Sequence, residues 1–214
     1  GSDPWYMKRV VDYIIAQNAH LVYDADRFYP IGGINPRPPL FSWSLALGAM
    51  ALQPFVGEEA VWWSMLALPA VYGALTILPV ATIAKDHFGK ATGVIAAWLI
   101  AFMPAHVTHS TWGLADHDSF VMLFIAIGFM FYLRAVKYAG SERLVKTTSI
   151  HPLDMLRAMG AVAQQRKYAM SNAVLAGVAF GAASLGWKGF VVGPAILFLA
   201  YASQVALNMF RRRD

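Results

Sequence analysis

The sequence is notable first for what it lacks. It contains no cysteine, and only 14% of its 214 residues are charged, whereas a typical soluble domain carries about 25%. Without cysteine, neither disulfides nor thiolate chemistry are available. We also find no glycine-rich phosphate loop and no Ser/His/Asp set at a known spacing. These absences argue against a soluble nucleotide-dependent enzyme or a secreted disulfide-stabilised domain.

Long uncharged stretches take the place of the missing charges. Hydrophobic residues make up 58% of the chain and the mean hydropathy is +0.49. Several stretches reach the roughly 20 helical residues that cross a hydrocarbon core of about 30 Å, and they lack the alternation of barrel strands. The sequence therefore predicts an all-α, polytopic helical membrane protein. The expected spans are residues 61–84, 91–108, 119–137, 168–186 and 190–210.

The segment 38–57 leaves the topology open. It is uncharged but interrupted by Gln53-Pro54, so it either crosses the membrane or lies at the interface. The positive-inside rule favours six spans, although a five-span arrangement also obeys it, with 138–167 as a basic cytoplasmic loop near anionic lipid. We adopt five spans because only that arrangement places Asp3 on the same face as Asp116 and Asp118. Residues 1–60 then form a first external loop that contains an interfacial helix.

Local signals subdivide this external loop. Residues 5–17 are predicted to form a short helix, with Pro4 placed to begin its first turn. The stretch PIGGINPRPP, residues 30–39, is predicted to be irregular because of its glycines and prolines. The net charge of +5 is explained by basic loops beside the spans, so we expect no nucleic-acid partner.

The stretch HSTWGLADHDSF carries the strongest chemical signal. Asp116 and Asp118 lie at the mouth of a span, and residues two apart in extended backbone point the same way. Their oxygens suit a hard cation such as Mg²⁺ or Mn²⁺. The alternative is a helix cap, for which one aspartate suffices. His109 is placed to touch a phosphate or orient the metal site, whereas His106 is more simply an interfacial residue.

Two further segments hold candidate residues. Asp3 in GSDPWYMKR is either a third carboxylate for the site or a helix cap. In SLGWKGF, Lys188 lies beside Trp187 in a short loop between two predicted spans. A lone lysine on the outer side suits an anionic headgroup, and the alternative role is simple anchoring at the interface.

Taken together, GSDPWYMKRVV, PRPPLFSW, HSTWGLADHD and SLGWKGF resemble the catalytic subunit family of oligosaccharyltransferase, in its archaeal AglB-like branch. The resemblance covers essentially the whole chain. It implies a GT-C-type transmembrane bundle and transfer of a glycan from a dolichyl phosphate carrier to asparagine in Asn-X-Ser/Thr sequons. By motif match, it makes Asp3 catalytic and makes Asp3, Asp116 and Asp118 ligands of Mn²⁺ or Mg²⁺. The resemblance also implies that the lipid phosphate or substrate is met by His109, His117, Trp187 and Lys188.

The resemblance also implies the setting and the partners. These are a lipid-linked oligosaccharide, an acceptor polypeptide with a sequon and the bilayer, with the active site on the extracellular face of a multi-pass cell-membrane protein. Because the family's soluble C-terminal domain is absent from the sequence, we expect a fragment that is inactive alone. The alternatives are another GT-C lipid-phosphate-sugar transferase, such as an O-mannosyltransferase, or a transporter fragment. The predicted spans carry no acidic residue, which argues against a transporter.

Overall fold

A computed structural model describes residues 3–139, 152–154, 156–157, 160 and 166–210. The side chain of Asp3 lies outside the described residues, as do most of the predicted basic loop 138–167 and the C-terminal residues 211–214. The described part of the chain includes all five predicted spans and the loop that carries residues 109–118.

The described residues form an all-α bundle with one small strand pair, which confirms the predicted fold class. Its elements are α1 (Asp3–Gln17), β1 (Tyr23–Asp24), β2 (Gly33–Ile34), α2 (Pro39–Val56), α3 (Ala60–Phe88), α4 (Lys90–Phe102), α5 (Pro104–Thr108), α6 (Asp118–Ala139), α7 (Lys167–Ser184) and α8 (Val192–Phe210), with 3₁₀ turns at Gly57–Glu59 and Lys188–Val191.

Three described helical stretches are long and apolar enough to cross a membrane. They are Pro39–Phe88, which joins α2 to α3, then Asp118–Ala139 and Lys188–Phe210, and α4 is a shorter apolar helix. The chain is therefore a membrane protein. The five-span count and its boundaries stay predictions. Each expected span overlaps helical structure, but 91–108 is divided at Met103 between α4 and α5.

Helix α1 is amphipathic and lies against the bundle. Met7, Val10, Val11 and Ile14 are buried, and their spacing puts them on one helical face. The strand pair was missed by the sequence prediction, since Gly33 and Ile34 lie within the stretch expected to be irregular. They pair with Asp24 and Tyr23, because the chain folds back on itself there and its backbone groups need hydrogen-bond partners.

The contacts of α2 indicate how it lies on the bundle. Its first turn is held by the Leu40 N–H, which donates to the Leu185 carbonyl at 2.8 Å, and Phe41 packs on Phe120 at the start of α6. Its C-terminus runs through Gly57–Glu59 directly into the start of α3. Both ends of α2 thus lie at the end of the bundle that carries residues 109–118, as expected for a helix that does not cross.

The opposite end of the bundle is rich in basic residues. Arg134 Nε lies 2.7 Å from Asp86 Oδ2, and Lys137 donates to the Asp86 carbonyl at 2.9 Å, so α6 is tied to α3. The Tyr138 and Tyr168 rings lie 6.3 Å apart and bring the start of α7 to the same level. We call residues 85–90, 134–139 and 166–168 the basic end.

Candidate functional site

The loop between α5 and α6 is fixed by contacts with α3. The Gly113 N–H donates to the Leu66 carbonyl at 3.1 Å, and the Trp112 ring meets the Trp63 ring edge-on at 6.1 Å. Gly113 has φ +91°, a left-handed conformation that glycine adopts without strain. This turn directs the following residues back toward the mouth of α6.

His106 has a packing role rather than only an interfacial one. Its Nε2 lies 3.1 Å from the carbonyl of Gly73 in the middle of α3, and Ser110 Oγ donates to the His106 carbonyl at 2.7 Å. A side chain at position 73 would overlap Ser110. The absence of a side chain at Gly73 therefore allows the loop to lie directly on α3.

Asp116, His117 and Asp118 form a compact group, here called the acid–histidine cluster. One ligand atom from each lies within 4.8 Å of the others. His117 Nδ1 is 2.6 Å from Asp116 Oδ1, and its Nε2 is 3.7 Å from Asp118 Oδ1. All three side chains are half-buried. Two carboxylates and one imidazole at this separation have the geometry and charge to hold a divalent metal ion.

The pKa of the Asp116 carboxyl is lowered from its usual range. The hydrogen bond from the His117 side chain is the largest cause, burial acts against it, and the charge of Arg37 adds a smaller effect in the same direction. A carboxyl held in its ionised form is ready to bind a cation without first losing a proton. Asp116 is thus a preformed anionic ligand.

His109 lies in contact with the cluster. Its Nδ1 is 2.6 Å from Asp118 Oδ2, with the imidazole largely exposed. Since a carboxylate only accepts, the ring N–H donates and orients the Asp118 carboxylate. The other ring nitrogen remains available to a ligand.

Of the two candidates in the α7–α8 loop, the structure brings one to the cluster. The Trp187 ring lies 5.7 Å from the His117 ring, and the side chain is partly exposed. Lys188 is exposed at the first position of the following 3₁₀ turn, and no described contact joins it to the cluster.

The segment that contains Asp3 lies near the same end of the bundle. The Trp5 ring contacts the Trp62 ring at 5.5 Å, near the start of α3. Tyr6, one turn after Asp3, has the Arg37 guanidinium 5.3 Å from its ring centre, and the charge of Arg37 acts on Asp116. Arg37 is a residue that sequence reasoning missed. Its only signal was a lone cation within a proline-rich loop.

A cavity of about 470 Å³ opens beside the cluster. Its polar wall is formed by His106, His109 and Asp118 with Ser119, whose buried Oγ has no hydrogen-bond partner among the described residues. Its apolar wall comes from the membrane-facing helices and is lined by Ile100, Met103, Val121, Met122, Ile125 and Val192. The cavity therefore suits an amphipathic ligand with a polar head beside Asp118. Ser119 was not predicted, because its position became evident only from the packing.

Comparisons with known proteins agree with one another. The family model described as "Oligosaccharyl transferase STT3, N-terminal" matches residues 1–212. Dolichyl-phosphooligosaccharide-protein glycotransferase 3 of Archaeoglobus fulgidus is 29% identical over 213 residues, which is 96% of this chain and 22% of the relative. The chain thus spans about a fifth of the length of the curated relatives it matches.

Solved structures of an archaeal enzyme share the fold. One is an oligosaccharyltransferase from Archaeoglobus fulgidus tethered to an acceptor peptide with the NVT sequon, with a TM-score of 0.73 and 26% identity, over 92% of this chain and 22% of that one. Another is AglB from Archaeoglobus fulgidus in complex with an inhibitory peptide and a dolichol-phosphate, with a TM-score of 0.73 and 23% identity, over 92% and 21%.

Proposed function

Because the chain belongs to the family of the oligosaccharyl transferase STT3 N-terminal region, we propose that it is the N-terminal transmembrane part of a membrane oligosaccharyltransferase. This enzyme transfers a glycan from a dolichyl phosphate carrier to the asparagine of Asn-X-Ser/Thr sequons. The observation that carries the proposal is the acid–histidine cluster directly beside an amphipathic cavity. The family match favours this function over an O-mannosyltransferase or a transporter.

Asp116 and Asp118 are the proposed ligands of Mn²⁺ or Mg²⁺, with Asp3 as the third carboxylate implied by the resemblance. The cluster fits such an ion because its donor atoms already lie close together and Asp116 is held ionised. His117 between the two carboxylates adds a nitrogen donor through Nε2, since its Nδ1 faces Asp116. When bound, the ion supplies Lewis-acid stabilisation of the negative charge that develops on the departing phosphate.

The cavity is the proposed binding site of the lipid donor. The carrier's phosphate lies near His109, His117 and Trp187, and its first isoprenoid units lie along the apolar wall. A hydrogen bond to a phosphate oxygen is charge-assisted and short, and His109, which is not a proposed metal ligand, is the imidazole placed to form it. Lys188, one residue beyond Trp187, adds a cation on the same exposed loop.

Asp3 is the proposed catalytic residue for the acceptor. An amide nitrogen is a poor nucleophile because its lone pair is conjugated with the carbonyl. A carboxylate that accepts a hydrogen bond from the amide N–H weakens this conjugation and orients the nitrogen toward the anomeric carbon. Positioning and charge stabilisation then supply most of the rate. The cluster and the first loop face the extracellular side in the five-span arrangement.

Metal binding and glycan transfer by the full-length protein test the proposal together. Asp118→Asn keeps the shape of the side chain but removes its charge. We expect it to lower Mn²⁺ affinity at least tenfold, measured by electron paramagnetic resonance of free Mn²⁺, because one of few charged ligands is lost. Transfer from a dolichyl-phosphate-linked glycan to a sequon peptide falls with it.

The matched control is Asp12→Asn, an exposed aspartate paired with Lys8 on α1. It is expected to leave both measurements unchanged. Equal Mn²⁺ affinity in the wild type and in Asp118→Asn would rule out the metal site, and unchanged transfer in Asp118→Asn would rule out its role in catalysis. The expectation that residues 1–214 alone are inactive stays a prediction of the same assay.

A further inference from the structure

A second groove lies at the basic end, far from the acid–histidine cluster. It has a volume of about 280 Å³ and exposes no polar surface. Helix α6 contributes Tyr132, Ala135 and Ala139 to it, α7 contributes Ala169 and Ala173, and Arg166 lines it just before α7 begins. We propose that this groove binds one acyl chain of an anionic phospholipid whose headgroup rests on the basic end.

The groove exists because four of its lining residues are alanines. Residues 132, 135, 136 and 139 recur at helical spacing along α6, and 166, 169, 170 and 173 do so along α7. Nearer the middle of the pair, the Phe129 and Phe180 rings pack edge-on at 5.6 Å and fill the space between the helices. Toward the basic end the small side chains leave that space open.

The charges around the groove identify the headgroup. The basic end contains six Lys or Arg residues and one Asp, Asp86, whose carboxylate is already paired with Arg134. Arg166 lines the groove where α7 begins, and Lys167 follows it. Clusters of basic residues beside a span attract anionic lipid, with each cation contributing about 1 kcal/mol, which is roughly a fivefold effect on binding.

The size and position of the groove fit a chain better than a whole ligand. Pockets that enclose a small molecule usually measure about 300–1,000 Å³, so this groove holds part of one chain while the headgroup stays outside. Tyr138 and Tyr168, whose rings lie 6.3 Å apart, are the sequence neighbours of the groove residues Ala139 and Ala169, and tyrosines are enriched at the depth of lipid headgroups.

The experiment measures lipid retention by the full chain in nanodiscs that contain equal phosphatidylglycerol and phosphatidylcholine. The protein is released from the nanodiscs, and the lipid that stays bound to it is identified by native mass spectrometry. We expect phosphatidylglycerol to be retained in preference to phosphatidylcholine. Ala173→Leu fills the groove from an exposed position and is expected to reduce retention several-fold. Arg166→Gln is expected to reduce the preference for phosphatidylglycerol about fivefold.

Two matched controls separate the groove from general effects. Ala206→Leu adds the same side chain at an exposed position on α8, and Lys8→Gln removes a cation from α1, at the opposite end of the bundle from the groove. Both are expected to retain lipid as the wild type does. Equal retention of the two lipids, or Ala173→Leu behaving as Ala206→Leu does, would overturn the proposal. A photoreactive acyl chain that fails to label α6 or α7 would also overturn it and indicate a protein helix as the occupant.

Discussion

At the residue scale, Asp24 has a carboxylate held by two hydrogen bonds from one arginine in the described part of the first loop. It is only 2% exposed, and Arg9 donates to it from Nε at 3.0 Å and from Nη2 at 2.8 Å. The pKa of Asp24 is lowered, chiefly by the Arg9 hydrogen bond and against the effect of burial. This pair joins α1 to β1 and thereby holds the first loop against the bundle.

The Arg9–Asp24 ion pair predicts that the stability the first loop gives to the fold falls at acidic pH. A carboxyl whose pKa is lower in the folded state stabilises the fold fully above its unfolded pKa of about 4, and this contribution is lost as the pH falls through the lower folded pKa. We expect Asp24→Asn to destabilise the protein at pH 7 by about 1–2 kcal/mol, since Arg9 is half-exposed and keeps Asp26 as a partner. The loss should shrink on acidification.

Thermal unfolding of the detergent-solubilised protein from pH 7 to pH 3 measures this difference. Asp12→Asn is the control, because its pair with Lys8 is exposed and contributes little. A destabilisation by Asp24→Asn that stayed constant over the whole range would contradict the assignment.

How much of the site was predictable differs from residue to residue. Asp116, His117 and Asp118 are adjacent in sequence, so local spacing sufficed to bring them together. Trp187 was found through the family resemblance. Arg37 and Ser119 escaped prediction because their relation to the site arises from packing between distant segments, which no local pattern encodes.

At the element scale, the close approach of the loop between α5 and α6 to α3 depends on Gly73. We expect Gly73→Ala to destabilise the protein by roughly 1–3 kcal/mol through overlap with Ser110, less about 0.5–1 kcal/mol gained in helix propensity. Displacement of this loop should also weaken Mn²⁺ binding. Thermal unfolding and the Mn²⁺ titration measure the two effects.

Gly177→Ala provides the matched control, since a side chain at Gly177 of α7 meets open space. It should keep or slightly raise the stability and leave Mn²⁺ affinity unchanged. If the two alanine variants unfolded at the same temperature, the close approach at Gly73 would not matter to the fold.

Helices were more predictable than their arrangement. Uncharged runs sufficed to locate α3, α4, α6, α7 and α8, because a membrane requires every backbone group to be satisfied within the segment. The position of α2 was not predictable, since its composition suits either a span or an interfacial helix, and only contacts with Leu185 and Phe120 discriminate between them.

At the scale of the whole molecule, the topology determines whether one active site can form. In the five-span arrangement residues 1–60 share a face with the acid–histidine cluster, and in the six-span arrangement they lie across the membrane from it. The five-span arrangement requires both ends of α2 to lie beside residues 109–118, as its contacts with Leu185 and Phe120 and its junction with α3 have them, but the number of spans stays a prediction. The absence of cysteine makes this difference directly measurable, because any introduced thiol is the only one in the chain.

We expect Ile31→Cys in the first loop and Thr111→Cys in the loop between α5 and α6 to react with a membrane-impermeant maleimide from the same side of sealed, oriented vesicles. Both native side chains are exposed, so reactivity reports the side of the membrane rather than burial. Lys90→Cys, at the exposed start of α4, should react only after the vesicles are opened. A six-span arrangement instead places Ile31→Cys on the same side of the membrane as Lys90→Cys, so these two variants would react together. That labelling pattern would separate Asp3 from Asp116 and Asp118 by the thickness of the bilayer, and a shared metal site would then be physically impossible.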